Sequence, residues 1–142
     1  MSETERFNSR PTLRRVVKLD EVEKVPLPMA EGRGGHARII IAKEVTGAKN
    51  FSLLVSEIEP GYAHAQEVHD EEQAYLILRG RASIMLEGKE YEVGPDTAVF
   101  VPARTVHQLR NKGSENLKLL VVTSPQGKFE TKILESKSKN SS

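Results

Sequence analysis

Gly61 to Gly80 reads GYAHAQEVHDEEQAYLILRG and Gly94 to Asn111 reads GPDTAVFVPARTVHQLRN, with Arg81 to Val93, RASIMLEGKEYEV, between them. Alternation is clearest in that connector. Ala82, Ile84 and Leu86 fall on one face while Arg81, Ser83 and Glu87 fall on the other, the period of a half-buried strand. Gly88-Lys89 then breaks the run and Glu90 to Val93 resumes it, so residues 81–93 read as a hairpin. Working outward, Gln73 to Leu78, Thr97 to Val101 and Val106 to Leu109 are short runs rich in apolar and β-branched residues, and so are Ala37 to Ala42, Phe51 to Ile58 and Leu117 to Thr123. Gly, Pro, Asn and Asp punctuate them at the spacing of turns in an antiparallel sandwich or barrel. The expectation is an all-β antiparallel chain whose strands from Phe51 to Thr123 close a small barrel, with no helix longer than about three turns.

The remainder of the chain bounds the alternatives. One hundred and forty-two residues fit one domain, and neither a fixed-period repeat nor a linker interrupts residues 12–135. The ends differ in character: residues 1–11 read as a polar, mobile N-terminal arm and residues 136–142, SKSKNSS, as a disordered tail too poor in apolar groups to offset its ordering entropy. With 21 basic and 20 acidic residues the net charge is +1, so the electrostatic footprint of a nucleic-acid-binding protein is absent. The longest apolar runs, such as Leu119 to Val122, fall far short of a membrane-spanning helix. The first ten residues lack the apolar stretch of a secretory leader, which makes the cytoplasm the expected compartment. There is no cysteine, so any metal must be held by imidazole, carboxylate or other oxygen donors.

Some strands carry apolar side chains on both faces. Ala74, Leu76 and Leu78 oppose Tyr75 and Ile77, and Ile39, Ile40 and Ile41 run together, so each strand needs cover on two sides, from a second sheet or a second subunit, and a homodimer is expected.

Residues 61–111 resemble the cupin superfamily. The first family motif is Gly, five residues, His, one residue, His, three or four residues, Glu, six residues, Gly. Gly61, His69 and Gly80 match it, with Glu67 in place of the first His and Gln73 in place of the Glu. The second is Gly, five residues, Pro, one residue, Gly, two residues, His, three residues, Asn. Pro102, His107 and Asn111 match, while Asp96 and Arg104 stand at the two Gly positions. The resemblance implies a cupin-type double-stranded β-barrel, or jelly roll, of the small single-domain kind that commonly pairs into dimers. It also implies one divalent metal ion at Glu67, His69, Gln73 and His107.

The residues themselves support such a site. Glu67 and His69 are two apart, so in an extended strand they leave the same face, and His107 becomes their neighbour if the barrel closes. Two histidines and one carboxylate have the donor composition of the facial triad of non-haem iron enzymes, and Gln73 adds a neutral carbonyl oxygen. The same donors suit iron, manganese, nickel, zinc or copper. His64 is a rival first ligand in another register, although its place in a loop favours a solvated histidine. His36 reads as structural or solvated, and Asp70, Glu71 and Glu72 as a solvated turn. Tyr75 shares the parity of Gln73 and can place a proton-donating hydroxyl near a substrate, with core packing as its other reading. Arg104 can reach over the barrel mouth to hold an anionic substrate, or simply extend into solvent. Gly32 to Gly35 is not a phosphate loop, because the Lys-Ser/Thr ending is missing.

The reading that follows is a small metal-dependent enzyme of oxygenase, isomerase or lyase type, acting on a polar organic small molecule in the barrel. A non-catalytic ligand-binding module is the alternative, and fold alone does not choose between them.

Overall fold

In the computed structural model, residues 13–140 are described, with side chains through residue 137. The expected arm at residues 1–11 and the last two residues lie outside them. Nine strands form: β1 Val25–Pro26, β2 Gly35–Ile41, β3 Ser52–Ile58, β4 Glu72–Arg79, β5 Ala82–Leu86, β6 Lys89–Val93, β7 Ala98–Val101, β8 His107–Asn111 and β9 Leu117–Ser124. Two helices join them, a single turn α1 at Lys43–Thr46 and α2 at Lys128–Asn140. All pairings are antiparallel, in a six-stranded sheet of order β1-β2-β3-β9-β4-β7 and a three-stranded sheet of order β6-β5-β8. The sheets face each other as a jelly-roll sandwich. Ile58, Ile77, Ile84, Leu117, Leu119 and Val101 fill the space between them and are almost wholly buried. Among the described residues no helix is long and apolar enough to cross a membrane.

The hairpin forms one residue earlier than its sequence suggests. Leu86 pairs with Lys89, so the two-residue turn is Glu87-Gly88, and both have positive φ, 50° and 81°. That is the backbone of a type I′ turn, whose twist matches the flanking strands, and it places Lys89 in the ladder. Gly80 closes β4 at φ 94°, and a Cβ on it would stand 3.1 Å from the Leu117 Cα, so both its conformation and its neighbour require glycine. Asp96 and Arg104, the residues standing at the two motif glycines, also have positive φ, 62° and 58°. The backbone thus keeps the left-handed geometry those positions impose, at some strain for a residue with a side chain.

Two expectations fail at the C-terminus. Thirteen residues from Lys128 to Asn140 form a helix of about 3.6 turns, longer than the limit of three, and it runs through residues 136–140 of the expected tail. Its order comes from packing rather than composition: Phe129, Ile133 and Leu134 lie on the core. Gln126 clips the start of this helix to α1, accepting from the Lys43 amide at 2.7 Å and donating to Glu44 and to Thr131.

On β4, Gln73, Tyr75 and Ile77 point inward, and Ala74, Leu76 and Leu78 point outward. Ala74 pairs with Phe100 across to β7, and Leu76, Leu78 and Phe100 are 37%, 42% and 56% exposed, so the outer face of the large sheet carries an uncovered apolar strip.

Asn111, the last residue of the second motif, is almost wholly buried because its amide serves three backbone groups. Nδ2 donates to the Ile58 and Glu115 carbonyls, each at 2.8 Å, and Oδ1 accepts from the Gly113 amide at 2.8 Å. One side chain therefore ties the end of β3 to the β8–β9 turn. Asn111→Ala orphans all three groups and is expected to cost about 3 kcal/mol, read as a lower urea midpoint at unchanged slope.

Candidate metal centre

Residues 62–69 run alongside β8 as an interrupted strand. The Asn111 amide donates to the Tyr62 carbonyl at 3.0 Å, the His64 amide to Leu109 at 2.9 Å, and the Arg104 amide to His69 at 2.7 Å. Between these, Glu67 and His107 exchange both backbone hydrogen bonds, each 2.9 Å, which sets their side chains beside one another. His69 follows two residues later on the same side. Gln73 arrives from the opposite sheet, at the start of β4. Glu67, His69 and His107 each bring a ligand atom within 4.8 Å of the others, and the Gln73 Oε1 lies 3.2 Å from the His69 Nε2. Donors bound to one ion at about 2.1 Å stand about 3 to 4.2 Å apart, so little movement is needed to share one.

The protonation of both imidazoles follows from their neighbours. The His69 Nδ1 faces the Glu71 carbonyl at 2.9 Å and the His107 Nδ1 faces the Thr105 carbonyl at 2.8 Å. A carbonyl only accepts, so the His107 Nδ1 donates and its Nε2 presents a lone pair to the centre; His69 faces an acceptor oxygen at each nitrogen, and the shorter contact, to Glu71, favours the proton on Nδ1. The His107 Nε2 is buried with no hydrogen-bond partner, and the Glu67 Oε1 stands 4.0 Å from it. The His69 Nε2 meets a second acceptor, the Gln73 Oε1, which already receives the Tyr75 hydroxyl at 3.1 Å, while the Gln73 Nε2 donates to the Thr123 Oγ1. The His107 Nε2, the Glu67 carboxylate, the His69 ring and the Gln73 Oε1 thus converge as the donor set of a cation site, with the Tyr75 hydroxyl the proton donor beside it. Carbonyls that fix the tautomer are its usual outer support. Burial pushes the His107 pKa below its ordinary value against the pull of the Thr105 carbonyl, which favours the neutral, ligating ring.

A small inner cavity, about 60 Å³, lies between the sheets and is lined by His107, Glu67, Gln73, Tyr75 and His64. An outer recess of about 670 Å³ opens beside it, lined by His69, Asp70, Arg104 and Lys128, and Glu67, Gln73, Phe129 and Glu130 border both. The ligand set therefore stands at the neck between a space fit for a few waters and one fit for an organic molecule. Arg104 is at the rim, its side chain 74% exposed and 3.9 Å from Asp70.

His64 is not the solvated loop residue that its position suggests. Paired on both sides, with Met29 and along β8, it lines the inner cavity, yet its Nδ1 is turned to the Ala65 carbonyl at 3.0 Å and 3.8 Å from Glu67. Glu71 likewise is buried rather than part of a solvated turn, because its carbonyl holds His69 and its carboxylate lies 3.8 Å from the same ring. His36 pairs with Glu57 across β2 and β3 at 3.6 Å, far in sequence from the cluster. Glu130 and Phe129 were invisible as site residues because the helix that carries them was not expected. Thr123 was legible in principle, since alternation along β9 puts it inward beside Gln73.

The sequence model of the cupin domain matches residues 54–123, which hold every residue of this centre. An uncharacterised protein of Streptomyces coelicolor is 31% identical over 77 residues, covering 54% of this chain and 72% of its own. The chain belongs to the cupin superfamily. Two solved cupin-like structures share its fold: a predicted oxalate decarboxylase of Thermotoga maritima, 24% identical, TM-score 0.67, covering 77% of this chain and 97% of its own, and the polyketide cyclase RemF of Streptomyces resistomycificus, 24% identical, TM-score 0.66, covering 80% of each. Those two names describe unrelated reactions, so this cupin's chemistry has to be argued from its own site.

Tyr75 supplies one test of the geometry. Its phenol is buried against the core, and burial, with the Glu67 carboxylate adding to it, pushes its pKa well above the ordinary value. The native state then holds this proton more tightly than the unfolded chain, so stability is complete below about pH 10 and falls as pH rises beyond it. In a pH 11 absorbance measurement on folded protein, Tyr75→Phe should remove almost none of the tyrosinate signal. A loss of about one tyrosinate in three would place Tyr75 in solvent.

Proposed function

We propose that this cupin is a metal-dependent enzyme acting on a polar organic small molecule, with one divalent transition-metal ion held by Glu67, His69, Gln73 and His107. The observation that carries the reading is the pair of histidines whose Nδ1 protons are spent on backbone carbonyls and whose Nε2 lone pairs face one carboxylate and one amide oxygen. Iron, manganese, nickel, zinc and copper all suit that donor set. When bound, such an ion supplies Lewis acidity toward a substrate carbonyl or enolate oxygen. Oxygenase, isomerase and lyase reactions all use that capacity.

The chain's own groups do the rest. His69, Gln73 and Glu67 line the outer recess, so a substrate placed there meets the ligands from the side away from the packed core. The Tyr75 hydroxyl keeps its proton, donated to the Gln73 Oε1, and is a proton donor in the inner wall. Arg104 at the rim can attract an anionic group, although Asp70 beside it takes part of that charge. The inner cavity admits a few waters and the sheets exclude the rest. We further propose a homodimer, in which the outer strip of Leu76, Leu78 and Phe100 on one copy is covered by a second copy. Light scattering at micromolar concentration should give twice 15.8 kDa; a mass of 15.8 kDa would refute the pairing.

Elemental analysis of purified variants tests the metal. His69→Ala and His107→Ala should each abolish stoichiometric metal, because imidazole binds these ions better than the oxygen donors beside it. Glu67→Ala should weaken it strongly. Gln73→Ala should lower affinity and keep binding, since two histidines and a carboxylate remain, and Tyr75→Phe should leave the metal content unchanged. Full stoichiometry in the His69→Ala, His107→Ala double variant would put the ion elsewhere, with His64 the first position to change next.

A further inference from the structure

One buried carboxylate has no part in the proposed centre. Glu130, on the first turn of α2, is 4% exposed, and no cationic side chain among the described residues comes within 4.0 Å of it. Its Oε2 accepts the hydroxyl of Ser52, which is itself fully buried and whose Oγ accepts from the Gly127 amide at 3.3 Å. Gly127 makes the room: a Cβ there would lie 2.5 Å from the Glu130 Oε1. The chain has thus fixed a carboxylate in its interior with a single hydroxyl as partner. An ionised carboxylate has about four acceptor positions, and burying it without a cation is costly.

Where it points explains the cost. Glu130 borders both the inner cavity and the outer recess, as Glu67 and Gln73 do. Ser52, Thr123 and Gln73 are register partners across β3, β9 and β4, so the backbone of Ser52, on which the carboxylate is anchored, stands two strand spacings, on the order of 10 Å, from that of Gln73. The recess therefore carries Glu130 in its lining as well as the metal-centre residues, with Arg104 and Lys128 as its cations and Phe129 as an apolar wall.

We infer that Glu130 is the second pole of the ligand site and reads a hydrogen-bond donor, an ammonium or hydroxyl, at the far end of a molecule whose oxygen end lies at the metal ligands. The near end rests on the metal reading given above; the far end rests on Glu130 alone. A two-carbon dianion fits poorly, because its second charge would face a carboxylate. The class that fits is a chelating, oxygen-rich molecule about one ring and a short chain long, with a non-anionic donor at its tip.

Three probes with a shared chelating catechol test this: the side chain of 4-ethylcatechol ends in methyl, dopamine extends that chain by an ammonium, and 3,4-dihydroxyphenylacetate has a carboxylate in place of the methyl. Titrated by calorimetry into zinc-loaded protein, where the ion is redox-inert, dopamine should bind about tenfold more tightly than 4-ethylcatechol, and the carboxylate probe most weakly. Glu130→Gln, which keeps an acceptor for Ser52, should equalise dopamine and 4-ethylcatechol while leaving the zinc content and the 4-ethylcatechol affinity unchanged. Equal affinities in the native protein, or an unchanged order in Glu130→Gln, would overturn the assignment. If zinc does not bind, the metal reading fails by itself, and the same probes followed by NMR shifts in the metal-free chain still decide Glu130: the ammonium preference must persist there and vanish in Glu130→Gln, or the inference is wrong.

Discussion

The backbone pair between Glu67 and His107 holds the centre together. Two hydrogen bonds of 2.9 Å join an irregular segment to the edge strand of the small sheet, and with them come the neighbours of each residue: His69, tied through its carbonyl to Arg104, on one side, and Thr105, whose carbonyl orients the His107 ring, on the other. The large sheet contributes Gln73 from across the sandwich, and the core of Ile58, Ile77, Ile84 and Leu119 keeps the two sheets at the distance that lets these side chains meet. Side-chain chemistry here is a consequence of main-chain pairing. A change that slipped the 62–69 segment by one residue would turn Glu67 and His69 away from the His107 Nε2 and break up the donor cluster.

The departures from the cupin motifs are compensated within the site. Glu67 replaces an imidazole and Gln73 replaces a carboxylate, so the set keeps one negative charge and four donors, with the charge moved from β4 to the segment beside β8. Gln73 in its new position is held at both ends of its amide, accepting from the Tyr75 hydroxyl and donating to the Thr123 Oγ1. At Asp96 and Arg104 the compensation is conformational: both residues accept the left-handed backbone that glycine would adopt freely, and the turns survive.

How much of this was legible before the structure depends on the kind of signal. Every strand from Gly35 onward announced itself by short apolar or alternating runs, and the cluster of Glu67, His69 and His107 followed from parity plus two motif spacings. What escaped was whatever tertiary context decides. Residues 136–142 look too polar to order, and through residue 140 they continue the helix from Lys128, whose Phe129, Ile133 and Leu134 find the core. Glu71 looks like one of three solvated acids, and it is buried because its carbonyl is needed by His69. Glu130 could not be placed at all until its helix was. Local pattern thus reported the barrel and the Glu67, His69 and His107 cluster, while the groups that orient it and shape the recess were set by contacts distant in sequence.

The central claim is that His69 and His107 are locked as Nδ1-protonated rings whose Nε2 atoms share one cation. Nitrogen-15 NMR of the imidazoles during a zinc titration tests it most directly. The account predicts Nδ1-protonated tautomers for both rings in the metal-free protein, and a shift confined to the two Nε2 resonances that saturates at one zinc per chain. A protonated Nε2 on either ring, or zinc-dependent shifts at Nδ1 or at His64 instead, would contradict it.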